Sequence, residues 1–331
     1  MPDRTLRPGK LPADLLAELL AAGGPAPPEL RLGPAVGEDA CAIEIPAGAL
    51  IAAADPITLT GSGVGAHAVV INANDVAVMG VRPRWFLATI LLPDGSPESL
   101  AREIFDAMRA ALDAVGAALV GGHTEVTPAV RQPVIAGQML GLAPDGHFVR
   151  TGGVRPGDVV VQVGTAPVEG AAVLCTEAAG RLGALDAETR ERAARALAVP
   201  GISVVEAALA AAALGATALH DPTEGGLATG LLELADASEV ALCVERDAVL
   251  WFEPGVAVCR ALGADPWGTL ASGALLATFD AAHAQAACAE LERRGFAVRA
   301  IGRAEPGRGV RFADGTPVPR FSRDEVARLL R

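Results

Sequence analysis

Five acidic positions stand where a folded core has no use for a charge. Glu38 and Asp39 follow Gly37, and Asp55 follows the apolar run Leu50–Ala54. Asp75 closes Asn72-Ala73-Asn74-Asp75, and Asp221 comes just after the run from Ala216 to Leu219. Carboxylates at strand ends are exposed to a site rather than to a core, and a glycine beside one lets backbone and ligand approach closely. Converging carboxylates repel each other unless a divalent cation neutralises them. Magnesium needs only one or two per ion, because it keeps waters and bridges to substrate phosphates. Each aspartate taken singly also reads as a turn or helix cap. His123, in Gly121-Gly122-His123-Thr124-Glu125, is open to three roles: base, ligand or phosphate donor. Lys10 is the only lysine among 27 basic residues. A compact ammonium there suits a phosphate contact, and a survivor of compositional bias fits equally well.

Two other patterns fail their structural context. Gly61-Ser62-Gly63-Val64-Gly65-Ala66 fits a loose dinucleotide-binding pattern, but Asp55–Thr60 separates it from the preceding strand. A dinucleotide turn needs its glycines at the strand's end, so this segment reads as a mobile loop. Gly9-Lys10 is followed by Leu11, which excludes a P-loop.

The elements that must carry these residues follow from periodicity. Helices are predicted over Pro12–Ala22, Ala66–Met79 and Pro97–Ala114. The stretches Ala40–Ile45 and Leu50–Ala54, joined by Pro46-Ala47-Gly48, read as a hairpin. Trp85–Leu92 reads as a buried strand, Ala117–Val120 as a short strand ending at Gly121-Gly122, and Pro133–Leu142 as another. The turn-rich Thr151–Asp158 is a joint. The expected division is an N-terminal segment and helix at 1–35, a nucleotide-binding and dimerisation domain at 36–152, and a C-terminal domain at 153–331. The second half alternates strands at 159–163, 216–219, 240–244, 274–279 and 296–302 with helices at 168–179, 187–197, 203–214, 225–235 and 281–294. A last helix starts from Arg323. Helices on sheets give an α+β class.

Composition narrows the function. The 331 residues suffice for two domains. A net charge of −12 without a basic stripe speaks against nucleic acid. No apolar run reaches membrane-span length and no signal-peptide core appears, so a cytoplasmic protein is expected. The five cysteines form no C-x-x-C pair and read as small apolar filler.

The acidic motifs resemble, in order, those of the aminoimidazole ribonucleotide synthetase-related superfamily. Gly37-Glu38-Asp39-Ala40 resembles its G-D-D-A signature, and Asp55 stands where its T-D motif ends a strand. Asn74 to Pro83 matches N-D-[LIV]-A-x-M-G-[AV]-x-P, and Gly121 to Thr124 matches G-G-[DH]-T. Asp221-Pro222-Thr223-Glu224-Gly225-Gly226-Leu227 resembles the D-P-T-R-G-G-L of the hydrogenase-maturation protein HypE. The resemblance implies an N-terminal domain whose sheet pairs in a homodimer to close a β-barrel. It also implies a C-terminal α+β domain covering a cleft that holds ATP and Mg2+, and activation of an acceptor by phosphoryl transfer.

Residue by residue, the resemblance makes Asp39, Asp55 and Asp75 the metal ligands. Asn74, Gly121, Gly122, Thr124, Asp221, Thr223, Gly225 and Gly226 go to the nucleotide, and Lys10 and His123 to catalysis. Residues 1–10 are expected to order over bound nucleotide. Departures bear on the reaction. HypE's C-terminal cysteine and the cysteine before selenophosphate synthetase's lysine have no counterpart here. Thiamine-monophosphate kinase carries Asp at the His123 position and D-I-S-D-G-L at Asp221–Leu227. The chain resembles a HypE-like member without that sulfur chemistry. A non-catalytic nucleotide-binding scaffold stays open as the alternative, and a nicotinamide enzyme as the third reading. The phosphoryl acceptor is not legible.

Overall fold

The computed structural model describes residues 5–6, 9–23, 26–33, 42–58 and 63–330. Among these, no single helix is long and apolar enough to cross a membrane. The chain divides into two compact units. One comprises Met1–Val76 and Val81–His147, the other Ala77–Gly80 and Phe148–Arg331.

The first unit runs β1 (Gly9–Lys10), α1 (Ala13–Ala21), β2 (Leu30–Leu32), β3 (Ala42–Ile43), β4 (Ala49–Ile57), α2 (Val64–Ala77), β5 (Pro83–Pro93), α3 (Glu98–Val115), β6 (Ala118–Thr127) and β7 (Val134–Ala143). Helix α2 begins here, and its last residue, Ala77, groups with the second unit. A five-stranded sheet has the order β1-β6-β5-β7-β4. Strands β5 and β6 are parallel and are joined through α3, as a parallel pair requires. Helix α3 buries Ala101, Ile104, Phe105, Met108, Leu112 and Val115, an i, i+3, i+4 stripe, and ends where Gly116 turns left-handed. One sheet face buries Phe86, Ile90, Leu92, Ile135 and Met139. The other is open, and alternate residues of β4 from Leu50 to Pro56 are exposed on it.

Two expectations are corrected. The hairpin does not form: β3 pairs with β2, and β4 pairs along its whole length with β7. A proline-glycine turn reverses the chain without choosing the partner, and nine residues of ladder on β7 outweigh two on β3. Nor does β6 stop at Gly121-Gly122. It continues to Thr127 past a bulge at Val120, where the register to β5 shifts by one residue.

The second unit runs β8 (Val159–Val163), α4 (Glu169–Glu177), α5 (Ala187–Ala194), α6 (Val205–Ala213), β9 (Ala218–His220), α7 (Gly226–Ser238), β10 (Ala241–Val244), α8 (Glu253–Leu262), β11 (Leu275–Phe279), α9 (Ala281–Arg293), β12 (Val298–Glu305), β13 (Gly309–Phe312) and α10 (Glu325–Leu329). Its sheet order is β13-β10-β12-β8-β11-β9. The core joins Leu227, Leu231 and Leu234 of α7 to Leu242, Leu276 and Ile301 of the sheet. Trp267 meets Trp251 and Phe312 edge-on, with ring centroids 5.1 Å apart in both pairs. Helix α8 and strand β13 carry no signal in the reading above. The chain is α+β in two domains.

Candidate functional site

In the first unit one buried amide on the helix that carries Asp75 fastens the strand that carries Asp55. Asn72 lies mid-α2 and is completely buried. Its Oδ1 accepts from the Asp55 N–H at 2.8 Å, and its Nδ2 donates to the Asp55 carbonyl at 3.1 Å and to the Ala68 carbonyl at 2.8 Å. This clamps the helix to β4 at Asp55. Asp75 follows three residues later, within about one 5.4 Å turn of the clamp. Opposite Asp55 on β7 stands Gly137. A Cβ at that position would come within 2.4 Å of Asn72 Nδ2 and 2.9 Å of the Phe86 ring, so glycine is what lets the amide reach the strand. Asn74 is also completely buried, while Asp55 and Asp75 are half-buried.

The Gly-Gly-His motif is shaped by the bulge. Gly122 has φ +148°, and a Cβ there would meet the Ala88 carbonyl oxygen at 2.1 Å. Past it, His123 is exposed, with Nε2 3.3 Å from Glu125 Oε2, and Thr124 is buried. The backbone of β1 pairs Lys10 with Glu125, two residues from His123. His123 is therefore a strand residue beside a carboxylate. It does not sit in a strand-end turn, as the sequence reading placed it. Asp39 lies outside the described residues. Among the described residues no cluster of three His, Cys, Asp or Glu side chains is arranged to hold a metal.

In the second unit Asp221–Leu227 links β9 to α7. Asp221 is buried. Gly225 and Gly226 have φ +77° and +66°. A Cβ on Gly225 would sit 2.2 Å from Thr229 Oγ1, and one on Gly226 would sit 2.4 Å from the Trp267 carbonyl oxygen. The Thr223 carbonyl accepts from Gly226 at 3.1 Å and from Ala271 at 3.2 Å. The Gly225 N–H donates to Asp324 Oδ2 at 2.7 Å, across 99 residues of chain.

Asn72 and Asp324 both escaped the sequence reading. An amide buried inside an apolar helical run was the available signal for Asn72. Asp324 shows only a capping signature, because its loop contact is remote in sequence.

The described thiols are poorly suited to sulfur chemistry. Cys175, Cys243 and Cys259 are buried. Burial pushes the Cys259 thiol up to about 11 and raises Cys175 and Cys288. A thiol held protonated is a weak nucleophile.

Residues 37–143 match the family described as AIR synthase related protein, N-terminal domain, and residues 155–315 match its C-terminal domain. Carbamoyl dehydratase HypE of Rhodobacter capsulatus is 33% identical over 253 residues, covering 75% of this chain and 72% of that one. A crystal structure of the hydrogenase maturation protein HypE in complex with ATP superposes with a TM-score of 0.76 at 23% identity, covering 95% and 94% of the two chains. Thiamine-monophosphate kinase from Stenotrophomonas maltophilia K279a gives 0.73 at 24% identity, covering 95% and 99%.

Proposed function

The chain belongs to the AIR synthase related family, and we propose that it is an ATP- and magnesium-dependent enzyme that activates an acceptor by phosphoryl transfer. The Asn72 clamp carries this reading. It fixes Asp55 and brings Asp75 to within about a helical turn. Hard carboxylate oxygens are the donors magnesium takes, so the residues fit the ion. Asp55 and Asp75, with Asp39, would hold it, and it would neutralise the phosphate charge as transfer proceeds. Asn74, Gly121, Gly122 and Thr124 would contact the nucleotide. Lys10 and His123 would act at the phosphates as the catalytic side chains. Within the second unit, Asp221, Thr223, Gly225 and Gly226 are the proposed nucleotide-binding residues. The acceptor is a small molecule or a protein-bound group other than the described thiols.

The open sheet face is the proposed homodimer surface. Leu50 is 44% exposed on it, and Leu50 and Ala52 lie opposite Leu142 and Leu140 of β7. Apolar side chains exposed along a sheet face suit burial against a second copy. Light scattering should give twice the 33.4 kDa chain mass; a monomer mass overturns the pairing.

Titration calorimetry with a non-hydrolysable ATP analogue, with and without magnesium, tests the site. Magnesium-dependent binding is expected, and its absence at millimolar nucleotide overturns the reading. Release of ADP or AMP separates an enzyme from a nucleotide-binding scaffold.

A further inference from the structure

We infer that Asp324 is a positioning residue of the nucleotide site, holding the Thr223–Gly226 loop in its ligand-receiving shape from the far end of the chain. This rests on the reading of Asp221–Leu227 as part of that site. Asp324 is 7% exposed and caps α10. One oxygen accepts from the Val326 N–H at 2.7 Å, and the other accepts from Gly225 at 2.7 Å. The same carboxylate therefore starts the last helix and holds the loop.

The loop needs such a hold. Gly225 and Gly226 are both left-handed, and successive glycines leave the backbone many other conformations in the absence of a fixed partner. The tether is also anchored at its own end. Glu325 accepts from the Asp265 N–H at 3.0 Å, and Arg328 donates to the Gly263 carbonyl at 2.8 Å. Helix α10 is thus fastened to the chain that follows α8, and Asp324 reaches the loop from a fixed base.

The charge around the tether is unusual. Asp324 faces Glu224 on the loop and Glu169 at the start of α4, both carboxylates. Glu325 adjoins it on α10 with Arg328 as ion partner, and Cys259 of α8 and Asp265 lie close by. The family motif quoted above has arginine where Glu224 stands. Burial, with those two carboxylates, pushes Asp324 up to about 6, although its two backbone hydrogen bonds pull the other way. Protonation removes the charge that draws on the Gly225 N–H, so the hold on the loop weakens as pH falls through that value.

The full-length protein tests this with two readouts. The first is the Gly225 amide proton followed by NMR from about pH 5 to about pH 8. It should titrate near 6 in the unmodified chain. The titration should vanish in Asp324→Asn and move to lower pH in Glu224→Arg. The second is magnesium-dependent binding of the ATP analogue at neutral pH. Asp324→Asn should bind about tenfold more weakly while its unfolding midpoint does not fall in step. Equal binding by the variant and the unmodified chain overturns the inference, as does a Gly225 amide that does not titrate. If Asp324→Asn does not fold, Glu224→Arg decides through the midpoint, and an unmoved midpoint sinks the idea. If the unmodified chain binds no nucleotide, the proposed function fails instead. The amide titration then still reports whether Asp324 holds the loop.

Discussion

Each unit fastens one of its candidate motifs by one buried side chain acting on backbone, and the two tethers differ in charge. Asn72 clamps Asp55 with a neutral amide that both donates and accepts. Asp324 holds Gly225 with a carboxylate that only accepts. An amide keeps its hydrogen bonds at any pH at which the protein folds. A buried carboxylate is costly to keep ionised and can be titrated. The first unit therefore carries a fixed clamp and the second a clamp that responds to acid.

Asn72→Leu should have the largest effect that pH does not change. It leaves the part-buried Asp55 N–H and carbonyl without the Asn72 amide, at a cost of about 2 kcal/mol by urea denaturation, equal at every pH. A strong pH dependence in that loss would break the contrast. Asp324→Asn sharpens it from the other side. The folded pKa of Asp324 is raised, so its contribution to stability is full below the ordinary carboxylate range and is lost as pH rises through about 6. Relative to Asp324→Asn, the unmodified chain should lose about 3 kcal/mol of stability between acid and neutral pH, read from paired denaturation curves. Global stability and the grip on Gly225 thus move in opposite directions with acid. A flat difference would show that Asp324 does not titrate in that range. Asp75→Asn should have the smallest effect on folding, within about 0.5 kcal/mol, because the side chain is half-buried. Its magnesium-dependent nucleotide affinity should still drop about tenfold, measured by calorimetry. A large stability loss instead would make Asp75 part of the clamp rather than of the site.

Much of the fold is legible residue by residue. The stripe Ala101-Ile104-Phe105-Met108 announces α3, and the run Trp85–Leu92 announces β5, because local periodicity encodes which face meets the core. Partner choice is not encoded that way. Pro46-Ala47-Gly48 says that the chain turns but not that β4 belongs with β7. The pair Gly121-Gly122 reads as a strand end, because glycine weakens strands in general. Here Gly122 is required by the approach of the Ala88 carbonyl, a contact made by another strand. Among site residues, Asp55, Asp75, His123 and Asp221 stand out because their chemistry is conspicuous. Asn72 and Asp324 act through backbone and across 17 and 99 residues, so their roles appear only once the chain is folded.

The division of the chain has a consequence for shuffling. The two units do not part at a single point in sequence, because Ala77–Gly80 groups with the second. There the Met79 carbonyl accepts from the Val149 N–H at 2.9 Å, and Gly80 turns left-handed against Val149 and Ala212. A crossover at His147 that grafts a foreign second half onto this first half inherits a plug shaped for another socket. Related genes that exchange halves must therefore carry matching residues at two places, and a hybrid library should recover viable joints mainly where both travel together.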